Sequence, residues 1–211
     1  MMFSQGAPKV AHMTSNDEAD LMNRLDVKRI QIREAVRRLG GCPAQGRLKV
    51  RDVMTPAPTC IASTTSVLDV VRMFHAKEFR HLLVTDPHGR LLGLVSDRDV
   101  LRCFGPGRYP DQEKLAGIAA IDIMSSDLIT VSPETSLATA ASELLGHGIS
   151  SLPVLADEKL VGILTNTDLE TVLEVLLHAA KDAEKSHEAS AAHGIIGAPA
   201  AAPSFQSTAT T

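Results

Sequence analysis

Sliding the chain past itself by 70 residues brings Val53-Met54-Thr55 onto Ile123-Met124-Ser125, Thr65-Ser66-Val67 onto Thr135-Ser136-Leu137, and Leu82-Leu83-Val84 onto Leu152-Pro153-Val154. One deletion then moves the offset to 69. Beyond it Leu91-Leu92-Gly93-Leu94-Val95-Ser96 meets Leu160-Val161-Gly162-Ile163-Leu164-Thr165, and Asp99 meets Asp168. Identities are few, but apolar positions, small hydroxyl residues, a glycine and an aspartate recur in order. Such a repeat constrains the fold more than any local pattern, because a unit of roughly 55 residues is near the lower limit for an independent core. The two copies are expected to pack sheet to sheet as one unit.

Each copy reads locally as strand, helix, strand, strand, helix. Pro56 and Pro58 break any helix after Val50-Arg51-Asp52-Val53-Met54 and precede an extended stretch at Thr59-Cys60-Ile61. Ser66 followed by Asp69 resembles a capping box, after which Val67, Val70, Val71 and Phe74 share one face at helical spacing. His81-Leu82-Leu83-Val84 and Leu91-Leu92-Gly93-Leu94-Val95 read as strands joined by the turn-rich Asp86-Pro87-His88-Gly89, and a helix begins near Asp97. In the second copy Ile129-Thr130-Val131, residues 136–146, 152–155, 160–164 and 167 onwards take the same roles. Met54 and Met124 read as core packing near the cleft and not as a ligand box.

Around the repeats the expected organisation is a disordered N-terminus at 1–20, an amphipathic basic helix with linker at 21–47, repeats at 48–104 and 119–178, and a linker at 105–118. The chain then closes with a helix end and disordered tail at 179–211. Leu21, Leu25, Ile32, Val36 and Leu39 form the apolar stripe of the first helix. Its other face carries Arg24, Lys28, Arg29, Arg33, Arg37 and Arg38 against Asp26 and Glu34, and is expected to be solvated.

Composition narrows the function. Of 211 residues, 44% are hydrophobic and 22% charged, as in globular chains, and no apolar run approaches the roughly 18 residues of a membrane-spanning helix. With no Trp, one Tyr and five Phe, nucleobase stacking on aromatic platforms has little to work with, and the net charge of −4 lacks a basic footprint for nucleic acid. Cys42, Cys60 and Cys103 form no CxxC or Cys/His pattern, and the first 20 residues show no secretory signal, so a reducing cytoplasm is the expected setting. The eight histidines are scattered, and neither a Gly-rich phosphate loop nor a GxSxG elbow occurs, so no metal site and no catalytic machinery are expected.

Taken together, Val53-Met54-Thr55, Arg80-His81-Leu82-Leu83-Val84, Gly93-Leu94-Val95-Ser96-Asp97-Arg98-Asp99 and Gly162-Ile163-Leu164-Thr165-Asn166-Thr167-Asp168 resemble a tandem pair of CBS domains over about residues 48–178. The resemblance implies an α/β fold of two CBS repeats related by pseudo-twofold symmetry, with interface clefts that take adenosine ligands. It implies AMP, ADP or ATP, with S-adenosylmethionine in the same class, and a regulatory, non-enzymatic role. A homodimer acting as a separate chain on an unidentified regulated protein is also expected.

A ribose offers vicinal hydroxyls to a carboxylate, and a nearby small hydroxyl adds a contact. Asp168 with Thr165, and Asp99 with Ser96, supply that pair twice, while Gly93 and Gly162 leave room either for the ligand or for close strand packing. Carried over from the family, the Asp168 cleft faces the cations Arg80, His81 and Arg98, whereas the Asp99 cleft faces Ser150, Ser151 and Thr167. A phosphorylated ligand is therefore expected at Asp168, and an empty, weak or uncharged-ligand cleft at Asp99. The alternatives are a ligand-free dimerisation module, or a nucleic-acid or membrane-associated regulator using the basic helix.

Overall fold

A computed structural model describes residues 15–38, 48–77, 79–104 and 111–193. The elements run α1 (Ser15–Arg38), α2 (Val50–Val53), β1 (Thr55–Pro56), β2 (Cys60–Ala62), α3 (Val67–Lys77), β3 (His81–Thr85), β4 (Leu91–Ser96) and α4 (Asp97–Phe104). They continue through α5 (Gln112–Gly117), α6 (Ala120–Ile123), α7 (Leu137–His147), β5 (Ser151–Ala156), β6 (Lys159–Thr165) and α8 (Asn166–His193). Compactness divides the chain after Val175, and the packing and the site described below lie in the unit that ends there. Among the described residues, no helix is long and apolar enough to cross a membrane.

The α/β architecture is that of two repeats. One sheet has the order β2-β3-β4, with β2 parallel to β3 and β3 antiparallel to β4; the other has the order β1-β6-β5, all antiparallel. In place of an Ile129-Thr130-Val131 strand, the second repeat has a single parallel bridge from Val131 to Val154, the counterpart of Ile61 beside Val84.

The repeats exchange their opening segments. Thr55 and Pro56 pair with Ile163 and Gly162 of the second repeat, and Ser125 pairs with Leu94 of the first. One step earlier, the Val50 amide donates to the Thr135 carbonyl and the Ala120 amide to the Thr65 carbonyl, while the Val67 amide donates to Ile118 and that of Leu137 to Leu48. Asp52 and Asp122 accept the Lys49 and Ala119 amides at 3.0 and 2.9 Å, so the same half-box starts α2 and α6. Each copy therefore completes its partner's sheet, which satisfies backbone groups that neither could satisfy alone.

Both faces of β3 are buried. Leu82 and Val84 pack with Ile61, Val67, Val70, Val95 and Val100 beneath α3 and α4, whereas Leu83 packs with Leu94 and Ile163 between the repeats. Each fully buried aliphatic side chain contributes about 1.5–3 kcal/mol relative to exposure. The glycines of the two signatures lie on this interface. A Cβ on Gly162 would come 2.5 Å from the Met54 sulfur, and one on Gly93 would come 2.5 Å from the Met124 sulfur and 2.8 Å from the Ser125 carbonyl. The room at Gly162 and Gly93 is filled by the exchanged segments, with Met54 and Met124 packed against them.

Three boundaries differ from the sequence reading. α1 begins at Ser15, within the stretch expected to be disordered, and α8 continues through 186–193. The expected linker 105–118 contains α5, started by the Asp111 carboxylate accepting the Glu113 amide at 3.1 Å and held by Leu115 in the core. One cap and one apolar anchor suffice for a six-residue helix too short to show periodicity. Residues 1–14, 105–110 and 194–211, Leu39 and Cys42 lie outside the described residues.

Candidate functional site

Asp99 and Asp168 sit at equivalent places, on the first turns of α4 and α8, at 7% and 6% exposure. Oδ2 of Asp168 accepts the Thr165 amide at 2.7 Å and the Thr165 hydroxyl at 2.9 Å; Oδ2 of Asp99 accepts the same groups of Ser96 at 2.9 and 2.6 Å. In both repeats one carboxylate oxygen thus serves the strand-to-helix corner. The other oxygen distinguishes them. Oδ1 of Asp99 meets Arg102 of its own helix at 2.9 Å, whereas Oδ1 of Asp168 meets Lys28 of α1 at 2.8 Å.

A cavity of about 540 Å³ opens beside Asp168. Its floor comprises Leu83, Ile163, Thr165 and Asp168, and one wall is the exchanged segment from Thr55 to Thr59. Arg80, His81 and Phe79 form a second wall, and α1 closes over it with Arg24, Lys28 and Gln31 among its contributions. The volume is in the range of small-molecule and cofactor sites, and apolar Leu83 and Ile163 lie there beside a few convergent polar groups.

Of the predicted site residues, Asp168, Thr165, Arg80 and His81 meet at this cavity. Arg80 donates to the Thr167 hydroxyl at 3.2 Å. That contact reverses one expectation, because Thr167 belongs to the Asp168 wall and not to the Asp99 side. The residue before the signature aspartate shares its helix start and so stays with that aspartate's own cleft. Arg98 is exposed on the first turn of α4 and is not among the residues lining the cavity, although its charge acts on His81, which is.

His81 joins the two repeats at this wall. Its Nε2 lies 2.8 Å from the Ser150 hydroxyl across the repeat junction. Burial lowers its pKa below the ordinary value, Arg80 and Arg98 act in the same direction, and Asp97 and Asp99 oppose them. Its surroundings thus favour the neutral, hydrogen-bonding form of the ring. Because the folded state disfavours the proton, stability is full above the unfolded value of about 6.5 and falls as pH drops below it towards the lowered folded value. His81→Gln is expected to flatten the loss of melting temperature between about pH 7.5 and 5; an unchanged slope would place the titrating group elsewhere.

Sequence reasoning missed α1's part in the site. Its basic face was expected to be solvated, yet Lys28 is only 13% exposed, Arg29 reaches Glu174 at 3.0 Å, and Arg24 donates to the Lys77 carbonyl at 2.9 Å and lies over the Phe79 ring. The repeats present acceptors to these cations, and a sequence periodicity carries no record of what faces it. Arg37 and Arg38 remain exposed.

A sequence profile described as the CBS domain matches residues 50–105 and again 119–174. The chain belongs to the CBS-domain family. CBS pairs are regulatory modules and not catalytic domains. Over 130 residues the chain is 34% identical to homoserine O-acetyltransferase of Methanocorpusculum labreanum, covering 61% of this chain and 25% of that enzyme. The chain thus spans a quarter of that relative. A putative acetoin utilization protein, AcuB, of Vibrio cholerae matches with a TM-score of 0.56 and 30% identity, over 64% of this chain and 96% of that one. A CBS-domain pair solved with 5′-methylthioadenosine and S-adenosyl-L-methionine shares the fold, at a TM-score of 0.52 and 22% identity over 60% of this chain and 95% of that one.

Proposed function

We propose that this CBS pair is a sensor of adenine nucleotides, binding AMP, ADP or ATP at Asp168 and passing its occupancy to a partner protein. The observation that carries this reading is the divided use of the Asp168 carboxylate. Oδ2 is committed to Thr165, while Oδ1 belongs to a buried acceptor beside a cavity of small-molecule size. A ribose diol supplies the neutral paired donors such an acceptor takes, and Arg80 at the rim supplies a fork for phosphate oxygens. S-adenosylmethionine, bound in the structure that shares this fold, belongs to the same ligand class.

Inward engagement of Arg24, Lys28 and Arg29 argues against α1 as a nucleic-acid or membrane face. Exposed Leu101 of α4 and Leu145 of α7 favour a homodimer, and a cytoplasmic setting that keeps Cys60 and Cys103 as thiols completes the reading.

Melting of nucleotide-stripped protein with AMP, ADP, ATP, S-adenosylmethionine and GTP tests it. A native-state ligand at 100 times its dissociation constant stabilises by about 2.7 kcal/mol, and roughly 2–4 °C accompanies each kcal/mol at this size. A rise of several degrees with an adenosine ligand and none with GTP is expected. No rise with any of them at millimolar concentration would favour a ligand-free interaction module.

A further inference from the structure

Lys28 occupies the carboxylate oxygen that the nucleotide reading assigns to a ribose. We propose that α1 is an intramolecular competitor for the Asp168 site: its Lys28 and an adenosine ligand hold the same oxygen in turn, so nucleotide entry releases the N-terminal half of α1. The inference rests on the nucleotide reading and adds to it the element that reports occupancy.

Three observations carry it. The first is acceptor capacity. Each carboxylate oxygen has about two lone-pair positions, and both at Oδ2 are taken by Thr165. A ligand diol must therefore turn to Oδ1, where the Lys28 ammonium sits at 2.8 Å and is steadied by the Thr55 hydroxyl at 3.2 Å.

The second observation is how α1 is attached. Ile32, Ala35 and Val36 are buried and anchor its C-terminal half, whereas none of the described residues from Met22 to Gln31 is fully buried. The half over the cavity is held chiefly by polar contacts, from Arg24 to the Lys77 carbonyl, Lys28 to Asp168, Arg29 to Glu174 and Gln31 to the Asp52 carbonyl. Such contacts exchange for water at small net cost, so this half can lift while the apolar anchor stays.

The third is the contrast between repeats. At Asp99 the equivalent oxygen is taken by Arg102, three residues along the same helix and 77% exposed, so its release would move one side chain. At Asp168 the counter-ion comes from 140 residues earlier in the chain, and its release moves a helix. Linkage then requires that whatever α1 docking costs the nucleotide, nucleotide costs α1 docking.

Calorimetric titration of the full chain with AMP and with ATP, as wild type, Lys28→Met and Lys28→Arg, tests the competition. Amide exchange in α1 with and without saturating nucleotide tests the release in unaltered protein. Lys28→Met is expected to bind about 5–150-fold more tightly, the usual range of such coupling, and Lys28→Arg to stay near wild type. Nucleotide should speed exchange over residues 22–31 and leave α2 protected. Equal or weaker binding by Lys28→Met would overturn the competition, weaker binding making the lysine a phosphate contact. Slower α1 exchange with nucleotide would make the helix a lid that closes on its ligand and overturn the release. If no protein binds any adenosine ligand, the nucleotide reading fails and takes this inference with it. Wild-type binding without a gain in Lys28→Met removes the competition alone.

Discussion

In a Lys28→Met background, where α1 no longer competes for the carboxylate, Asp168→Asn should cost the protein about 10–100-fold in nucleotide affinity. The amide retains one oxygen, so Thr165 can still be capped and α8 can still start, but the charge that strengthens the ribose contacts is lost and one acceptor becomes a donor. Hydrogen bonds to charged groups contribute roughly 1.5–3 kcal/mol, and each 1.4 kcal/mol is tenfold in affinity. Asp99→Asn is the matched control. It changes the same corner in the other repeat, where Arg102 of the same helix holds the carboxylate, and should leave the Asp168 binding event within about twofold. Equal losses from the two substitutions in calorimetric titration would contradict the asymmetry, and no loss from Asp168→Asn would remove the ribose assignment.

The largest effect on stability is expected from one added methyl group. Gly93→Ala places a Cβ 2.8 Å from the Ser125 carbonyl, a backbone atom of the exchanged segment, as well as 2.5 Å from the Met124 sulfur. The sulfur can swing aside, but the carbonyl cannot move without loosening the Ser125–Leu94 bridge, whose two hydrogen bonds are 2.9 and 3.0 Å. Overpacking of this kind costs about 1–3 kcal/mol, or several degrees of melting temperature. Gly162→Ala should be milder, because the nearest backbone atom there, the Thr55 carbonyl, is 3.1 Å away and the closer obstacle is the flexible end of Met54. Shortening the methionine separates the cases: Met54→Ala should relieve Gly162→Ala more than Met124→Ala relieves Gly93→Ala. The reverse order of melting temperatures would show that side-chain crowding, and not the exchanged backbone, sets the cost.

Much of this was legible in the chain. Asp99 and Asp168 recur after a small hydroxyl and an apolar strand, and that local pattern both caps a helix and places a carboxylate at a strand end, so it could be read without the third dimension. The N-cap half of the box expected at Ser66 and Asp69 forms, the Asp69 amide donating to the Ser66 hydroxyl at 3.1 Å, but the Asp69 carboxylate accepts that hydroxyl at 2.7 Å and not the Ser66 amide. What could not be read were pairings across long separations. Nothing in Thr55-Pro56 announces a partner in the other repeat, and a residue such as Thr167, next to a signature aspartate, can be given to either cleft until the strands are placed. The same limit applies to α1. Its cations looked destined for solvent because helical spacing separates polar from apolar faces without saying which polar groups wait opposite, here Asp168, Glu174 and the Lys77 carbonyl.

The exchange of opening segments also sets a timetable for synthesis. Thr55 pairs with Ile163, a residue made 108 positions later, and at about 5–20 residues per second the ribosome needs on the order of 5–20 s to supply it. During that interval α3 and the β2-β3-β4 sheet can assemble, but the Val50 amide has no Thr135 carbonyl to meet and Thr55-Pro56 no β6 to pair with. The nascent first half therefore carries an unpaired opening segment whose acceptor is present, unaltered, in every copy further along the same messenger. Crowded polysomes are where this fold is most open to pairing with the wrong chain.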